Sequence, residues 1–127
     1  MQERRRAYRA LVVEDDQPTL RLVKNVLERE GFSVEGVRDG QAAIRLLETV
    51  AYDLLIIDLM LPLVNGDQVV SFLEQHQPES VRRVIMTTAS PRMINCDVLQ
   101  RICRVLEKPF DIDRLILYAR ECMDDAA

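Results

Sequence analysis

The stretch LLIIDLMLP, Leu54 to Pro62, places a single aspartate, Asp58, inside an otherwise apolar run. Burying an unpaired ionised carboxylate is costly, and a chain avoids that cost by protonating it, pairing it or placing it at an exposed strand end. The last of these options predicts a buried strand that ends at Asp58. What Asp58 does then depends on what else lies at that end of the sheet.

Short apolar runs recur along the chain and alternate with amphipathic patterns. The runs cover residues 10–14, 33–37, 53–58, 83–88 and 102–107. Several are continuous and β-branched, which is typical of strands covered on both faces. Helical patterns follow at residues 18–30, 41–49, 66–75, 95–101 and 111–123, of which the fourth is the weakest. The alternation predicts an α/β fold: a doubly wound, five-stranded parallel sheet with helices on both faces and right-handed crossovers.

The first helical pattern carries its own boundary signals. Asp16 is the expected N-cap, and Gly31 is the expected C-cap.

Composition favours one globular domain over residues 1–127, with residues 1–8 as a flexible basic tail. The chain has 127 residues, of which 48% are hydrophobic and 30% charged, and this balance is typical of a folded soluble protein. No apolar stretch is long enough to span a bilayer or to act as a secretory signal, so we expect a cytoplasmic protein without membrane contact. A net charge of −4 disfavours direct binding of nucleic acid.

The cysteines give no metal-binding pattern. Cys96, Cys103 and Cys122 are an odd number at no metal-ligand spacing, and His76 is the single histidine in the sequence. We therefore expect reduced thiols without a role in the chemistry.

Polar residues stand where the predicted strands end. Asp58 ends the third strand, Glu14 and Asp15 end the first, Thr88 ends the fourth, and Lys108 follows the fifth. Binding sites in such folds lie outside the carboxyl ends of the strands. We therefore expect these five side chains to converge at one edge of the sheet.

That set of side chains suits phosphoryl transfer. Three neighbouring carboxylates repel one another, and a divalent cation relieves the repulsion. A few carboxylates, with the remaining positions left to water and phosphate, describe a Mg²⁺ site. Lys108 and Thr88 would contact phosphoryl oxygens, and a carboxylate nucleophile completes the set that in-line transfer requires. The hypothesis is that Asp58 becomes an aspartyl phosphate.

In this order and at these spacings, the residues resemble the receiver domains of two-component response regulators. The resemblance covers about residues 9–123 and implies a (βα)5 flavodoxin-like fold. The resemblance rests on the acidic pair in LVVEDD, Asp58 in DLLIIDLMLP, Gly66 eight residues later, Thr88 in MTTAS, and Lys108 with Pro109 in EKPF.

The resemblance also implies a metal site. Asp15 and Asp58 would bind Mg²⁺ together with the backbone carbonyl of Met60, and Glu14 would act on the metal directly or through water.

The remaining roles concern the phosphoryl group. Asp58 would be the phosphoacceptor, Lys108 would bind the phosphoryl group, Thr88 would move toward it on activation, and the Lys108–Pro109 bond would be cis. The donor would be a histidine kinase or a histidine phosphotransfer protein. The output would be a downstream protein bound through the fourth helix, fifth strand and fifth helix, without turnover of a substrate.

The sequence departs from the family pattern on that output face. Val105 stands where receivers usually carry an aromatic residue, which puts the coupling of hydroxyl and ring in doubt. Residues 90–104 lack the usual turn, so we expect the fourth helix to be short, irregular or mobile. Met60 lies two residues after Asp58, and Ser90, which Pro91 follows, lies two residues after Thr88. Neither side chain is a water-positioning acid or amide, which predicts slow loss of the phosphoryl group.

Three other interpretations remain open at this point. Glu14 and Asp15 could simply complement the dipole of the first helix. A constitutive scaffold would keep the fold without switching. A phosphatase resembling the haloacid dehalogenase family would need a second aspartate two residues after Asp58, where this chain has Met60.

Overall fold

The computed structural model describes residues 7–126, and in them five strands alternate with five α-helices. The elements are β1 (Tyr8–Val13), α1 (Gln17–Arg29), β2 (Phe32–Val37), α2 (Gly40–Leu47), β3 (Leu54–Asp58), α3 (Gly66–His76), β4 (Val84–Thr88), α4 (Cys96–Arg101), β5 (Arg104–Glu107) and α5 (Ile112–Ala126). The strands pair in parallel in the order β2-β1-β3-β4-β5. The predicted doubly wound α/β fold is confirmed.

The sheet is buried on both faces because its strands contribute side chains to two separate apolar layers. Along a strand, successive side chains point to opposite faces. In β3, Leu55 and Ile57 pack into the layer beneath α2 and α3. Leu54 and Ile56 pack into the layer beneath α1 and α5. This double coverage explains why β3 is a continuous apolar run, and it leaves the strand ends as the place for polar chemistry.

Helix α1 begins as its sequence predicts. The side chain of Asp16 accepts a hydrogen bond from the Thr19 N–H at 3.1 Å, as expected of an N-cap. The C-cap is Glu30, one residue before the position predicted from the sequence. Gly31 follows with φ of +99°, in the left-handed region where glycine ends helices without steric cost.

Helix α4 is short, as predicted: it has six residues and follows a 3₁₀ turn at Pro91–Met93. Its N-cap is Asn95, whose side-chain oxygen accepts the Asp97 N–H at 2.9 Å. The Asn95 N–H in turn donates to the carboxylate of Asp67 in α3 at 3.1 Å. The start of α4 is therefore held to α3 rather than supported by a long helix of its own.

The expectation of three reduced thiols is wrong for two of them. Cys103, just before β5, forms a disulfide with Cys122 in α5, with the Cα atoms 5.9 Å apart. The two cysteines are 19 positions apart in sequence, and the packing of α5 against the sheet brings them together. Cys96 is free and exposed.

The predicted tail over residues 1–8 is too long at its carboxyl end. Tyr8 is the first residue of β1 and pairs with Phe32 of β2. Residues 1–6 lie outside the described residues.

None of the helices in the described part of the chain combines the length and apolar character that crossing a bilayer requires.

The turn from β3 into α3 leaves no room for a side chain at Gly66. A Cβ there would lie 2.6 Å from the carbonyl oxygen of Asp58 and 2.8 Å from the Cα of Leu59. Both are backbone atoms, so Gly66→Ala has to displace the loop that carries Asp58. We expect it to lower the free energy of unfolding by about 1–3 kcal/mol, the usual cost of overpacking.

Urea unfolding at fixed pH measures that change, and Gly36→Ala is the matched control. A Cβ on Gly36 would meet only the flexible side chain of Leu20, at 2.8 Å. A midpoint shift for Gly66→Ala no larger than that for the control would contradict the backbone clash.

Candidate functional site

Three carboxylates lie at the carboxyl ends of β1 and β3, and we call Glu14, Asp15 and Asp58 the acidic edge. Strands β1 and β3 are neighbours and pair Val13 with Ile57, so the residues that follow each of these lie at the same level. Asp58 ends β3 as predicted, whereas Glu14 lies one residue beyond β1. Its N–H nevertheless donates to the carbonyl of Val37 at 3.0 Å, which extends the ladder to β2.

The acidic edge could hold a divalent cation. One carboxylate oxygen from each of the three residues lies within 4.8 Å of the others. Glu14 and Asp58 are buried, with 3% and 4% of their surface exposed, whereas Asp15 faces solvent. Clustered carboxylate oxygens that are partly open to water match the ligand preference of Mg²⁺.

Lys108 lies between the two buried carboxylates. Its Nζ donates to Oε1 of Glu14 at 2.7 Å and to Oδ2 of Asp58 at 3.1 Å. Burial by itself would lower the pKa of Lys108, but these two hydrogen bonds outweigh it and raise the pKa. The side chain therefore remains an ammonium ion, and its charge offsets the repulsion between Glu14 and Asp58.

Glu14 is the member of the acidic edge whose pKa is raised. Burial raises its pKa above the ordinary value of 4.5, and the opposing hydrogen bond from Lys108 compensates only in part. The N–H of Asp16 also donates to Glu14, at 3.1 Å, and favours the charged form. The ionised carboxylate of Glu14 is thus more costly in the folded chain than in water.

The Asp58 carboxylate is oriented by two donors. Oδ1 accepts the N–H of Met60 at 3.1 Å, and Oδ2 accepts the ammonium of Lys108. The Met60 side chain is 59% exposed, so its apolar part lies at the mouth of the site. The backbone of Met60, whose carbonyl the family resemblance implies as a metal ligand, is in contact with Asp58 through this hydrogen bond.

Thr88 is fully buried at the end of β4. Its hydroxyl oxygen accepts the N–H of Ser90 at 3.0 Å, and its carbonyl accepts the N–H of Lys108 at 2.8 Å. Strand register pairs Asp58 with Thr87, so Thr88 lies one residue beyond the level of Asp58. A hydroxyl that accepts one bond retains the capacity to donate another. The Lys108–Pro109 bond is cis, as predicted.

Arg38 is part of this site and was missed by sequence reasoning. It follows β2, and its guanidinium donates to the carbonyl of Asp15, from Nε at 3.3 Å and from Nη2 at 3.1 Å. It therefore steadies the backbone of the exposed ligand candidate. Its place directly after a strand was the available signal, because the other polar residues of the site share that place.

Comparison with known proteins gives a consistent assignment. The family model for the response regulator receiver domain matches residues 10–120. The chain is 38% identical over 120 residues to the transcriptional regulatory protein CutR of Streptomyces coelicolor, an alignment that covers 88% of this chain and 52% of CutR. It is 30% identical over 117 residues to the response regulator ArlR of Staphylococcus saprophyticus, covering 87% of this chain and 50% of ArlR. The chain thus spans about half the length of these curated relatives.

Among solved structures, the fold resembles the receiver domain of the Francisella response regulator 1452. The TM-score is 0.79 at 25% sequence identity, and the match covers 94% of this chain and 99% of that one.

The raised pKa of Glu14 predicts a pH dependence of stability in metal-free buffer. A group whose pKa is higher in the folded than in the unfolded chain stabilises the fold while protonated, and that contribution is lost as the pH rises. For Glu14 the loss begins as the pH rises past about 4.5, the ordinary value, and is complete above its raised pKa. We expect Glu14→Gln, which cannot ionise, to remove this loss and flatten the curve of stability against pH.

Urea unfolding in the presence of chelator, at a series of pH values from about 4 to about 8, measures this curve. These values extend from near the ordinary pKa of glutamate to well above it. Glu28→Gln, an exposed glutamate of α1, is the matched control. Parallel curves for the wild type and Glu14→Gln would show that burial of Glu14 carries no cost.

Proposed function

The chain belongs to the response regulator receiver domain family of two-component signalling, and we propose that it is a phosphorylation-controlled binding module with Asp58 as the phosphoacceptor. The observation that carries this proposal is the placement of Lys108, within hydrogen-bond distance of Asp58 and Glu14 at a three-carboxylate edge. A nucleophile, a fixed cation and a candidate metal site are thereby present together.

The proposed reaction transfers a phosphoryl group from a phosphohistidine on a histidine kinase or histidine phosphotransfer protein. A carboxylate oxygen of Asp58 attacks phosphorus, a phosphorus–oxygen bond forms, and the phosphorus–nitrogen bond to the histidine breaks. Lys108 binds a phosphoryl oxygen as an ammonium ion, because its raised pKa keeps it protonated. Thr88 donates its hydroxyl hydrogen to another phosphoryl oxygen once the group is in place.

The proposed cofactor is Mg²⁺, held by Asp15, Asp58 and the carbonyl of Met60, with Glu14 acting directly or through water. When bound, it supplies positive charge beside the phosphoryl oxygens. The three carboxylates of the acidic edge lie close to one another, which supports this assignment. Lys108 and the Asp16 N–H keep Glu14 aimed at the edge, and Arg38 steadies the backbone of Asp15.

The site favours a switch over a turnover enzyme. An aspartyl-phosphate phosphatase of the haloacid dehalogenase kind needs an acid two residues after the nucleophile, and Met60 offers only a thioether there. Receivers of this family are not enzymes in the usual sense, and the chain would catalyse only its own phosphorylation and dephosphorylation. Val105 is partly buried in β5 and has no ring to move, which keeps a constitutive scaffold as the second candidate.

We infer a downstream protein partner that binds the face formed by α4, β5 and α5. We further propose a single receiver unit over residues 1–127, working in the cytoplasm without direct contact to nucleic acid or membrane.

The central test is the intact mass of the protein after incubation with phosphoramidate and Mg²⁺. We expect a single phosphoryl adduct that disappears in Asp58→Asn and in the presence of chelator. Asp97→Asn, which changes an exposed aspartate of α4, should keep the adduct. Absence of an adduct in the wild type, with folding shown by circular dichroism, would overturn the phosphoacceptor assignment and favour the scaffold.

The exposed thioether of Met60 predicts slow loss of the phosphoryl group, since it cannot orient an attacking water by hydrogen bonding. We expect the adduct to persist for minutes or longer after the donor is removed, and Met60→Gln to shorten its lifetime. Mass measurements at successive times follow the decay. A wild-type half-life of seconds would contradict this prediction.

A further inference from the structure

A second place for covalent chemistry lies at the end of β5 opposite the acidic edge. Cys103 immediately precedes β5, whereas Lys108 immediately follows it. Five residue steps in an extended strand place the two about 16 Å apart. Chemistry at the Cys103–Cys122 disulfide can therefore proceed without contact with Asp58.

The two cysteine residues differ in burial. Cys103 is partly exposed, whereas Cys122 has 0% of its surface exposed and packs in the apolar layer beneath α1 and α5. Exchange requires an external thiolate to reach one sulfur of the disulfide. Attack therefore falls on Cys103, and Cys122 is the leaving thiolate.

The backbone at Cys103 is held independently of the disulfide. Its N–H donates to the carbonyl of Val84 at 2.9 Å, and its carbonyl accepts a guanidinium N–H of Arg104 at 2.9 Å. On the helix side, two partly exposed ion pairs also hold the last turns of α5: Glu121 with Arg104 at 3.2 Å, and Arg120 with Glu30 at 2.7 Å. Ion pairs that are exposed to solvent contribute little to folding stability. Breaking the disulfide would therefore leave Cys103 in place and loosen the last turns of α5.

We propose that Cys103 and Cys122 form a thiol–disulfide exchange site for low-molecular-weight thiols and disulfides of the glutathione class, whose redox state sets the mobility of the C-terminal turns of α5. In the oxidising direction, the Cys103 thiolate attacks glutathione disulfide and releases one glutathione thiolate. Cys122 then loses its proton, attacks the Cys103 sulfur and releases a second glutathione. The two cysteines lose two electrons in all, and the glutathione disulfide gains them.

This site would act on the face assigned above to the downstream partner, because α5 is part of it. The consequence for partner binding rests on the proposed function, whereas the exchange chemistry does not. In a reducing compartment, the redox state of a partly exposed disulfide would follow the reduction potential of the glutathione pool.

The test uses Cys96→Ser as the background, which removes the exposed free thiol. The protein is equilibrated at a series of glutathione to glutathione disulfide ratios, denatured and alkylated, and its mass is measured. We expect no alkyl group at oxidising ratios and two at reducing ratios. Two alkyl groups at every ratio would overturn the proposal.

The attacked sulfur is identified by two further variants on that background. Native protein carrying Cys122→Ser should form a mixed disulfide with glutathione on the order of tenfold faster than protein carrying Cys103→Ser, because access limits the exchange. Equal rates in variants shown to fold would contradict the assignment of Cys103 as the entry point.

The structural effect is read from the melting temperature and from amide hydrogen exchange. For a separation of 19 residues, reduction should lower Tm by roughly 10 °C. Exchange should accelerate in the last turns of α5 and remain unchanged in β3. Equal protection of α5 in both redox states would overturn the proposed effect on mobility.

Phosphorylation by phosphoramidate is measured in the same two samples. Equal adduct formation in both redox states is expected, because the two sites lie at opposite ends of β5. Failure to phosphorylate in both states would count against the proposed function alone. A redox-dependent adduct would overturn the independence of the two sites.

Discussion

The ammonium group of Lys108, placed between the carboxylates of Glu14 and Asp58, is the interaction on which the site depends. It joins residues that are 94 and 50 positions apart in sequence. Two buried carboxylates without this cation would repel each other and take up protons. Its charge offsets part of this repulsion, and the pKa of Glu14 is raised because burial outweighs the hydrogen bond from Lys108. A divalent cation bound at the acidic edge would supply further positive charge beside these carboxylates.

The two-sided burial of the sheet explains why this chemistry is confined to strand ends. All five residues of β3 and of β4 are buried, so neither strand has a solvent-facing side on which to place a charge. Polar residues are accommodated where the backbone leaves the sheet. The close approach of Gly66 to the backbone of Asp58 and Leu59 then constrains the loop that leads from β3 into α3.

The face formed by α4, β5 and α5 is where the sequence predicted departures from the family pattern. Helix α4 has six residues and is tied to α3 through Asp67 and Asn95. The aliphatic side chain of Val105 stands in the middle of β5, and the nearby ring of Tyr118 lies 5.9 Å from the guanidinium of Arg104. A covalent bond from Cys103 to Cys122 crosses the same region. The disulfide and the contact of Arg104 with Tyr118 therefore both join β5 and its preceding residue to α5.

The sequence by itself determined the fold class, the order of strands and helices, the end of β3 at Asp58, the N-cap at Asp16 and the shortness of α4. These features are local, because apolar runs, helical periodicity and cap residues are set by neighbours along the chain. The sequence also predicted that the polar residues converge, since parallel strands bring their carboxyl ends to one edge of the sheet. The tertiary structure alone decided the pairing of Cys103 with Cys122, the contact of Arg38 with Asp15 and the inclusion of Tyr8 in β1. Each of these joins residues 19 or more positions apart, and such contacts depend on how helices and strands pack in space, which sequence spacing does not encode.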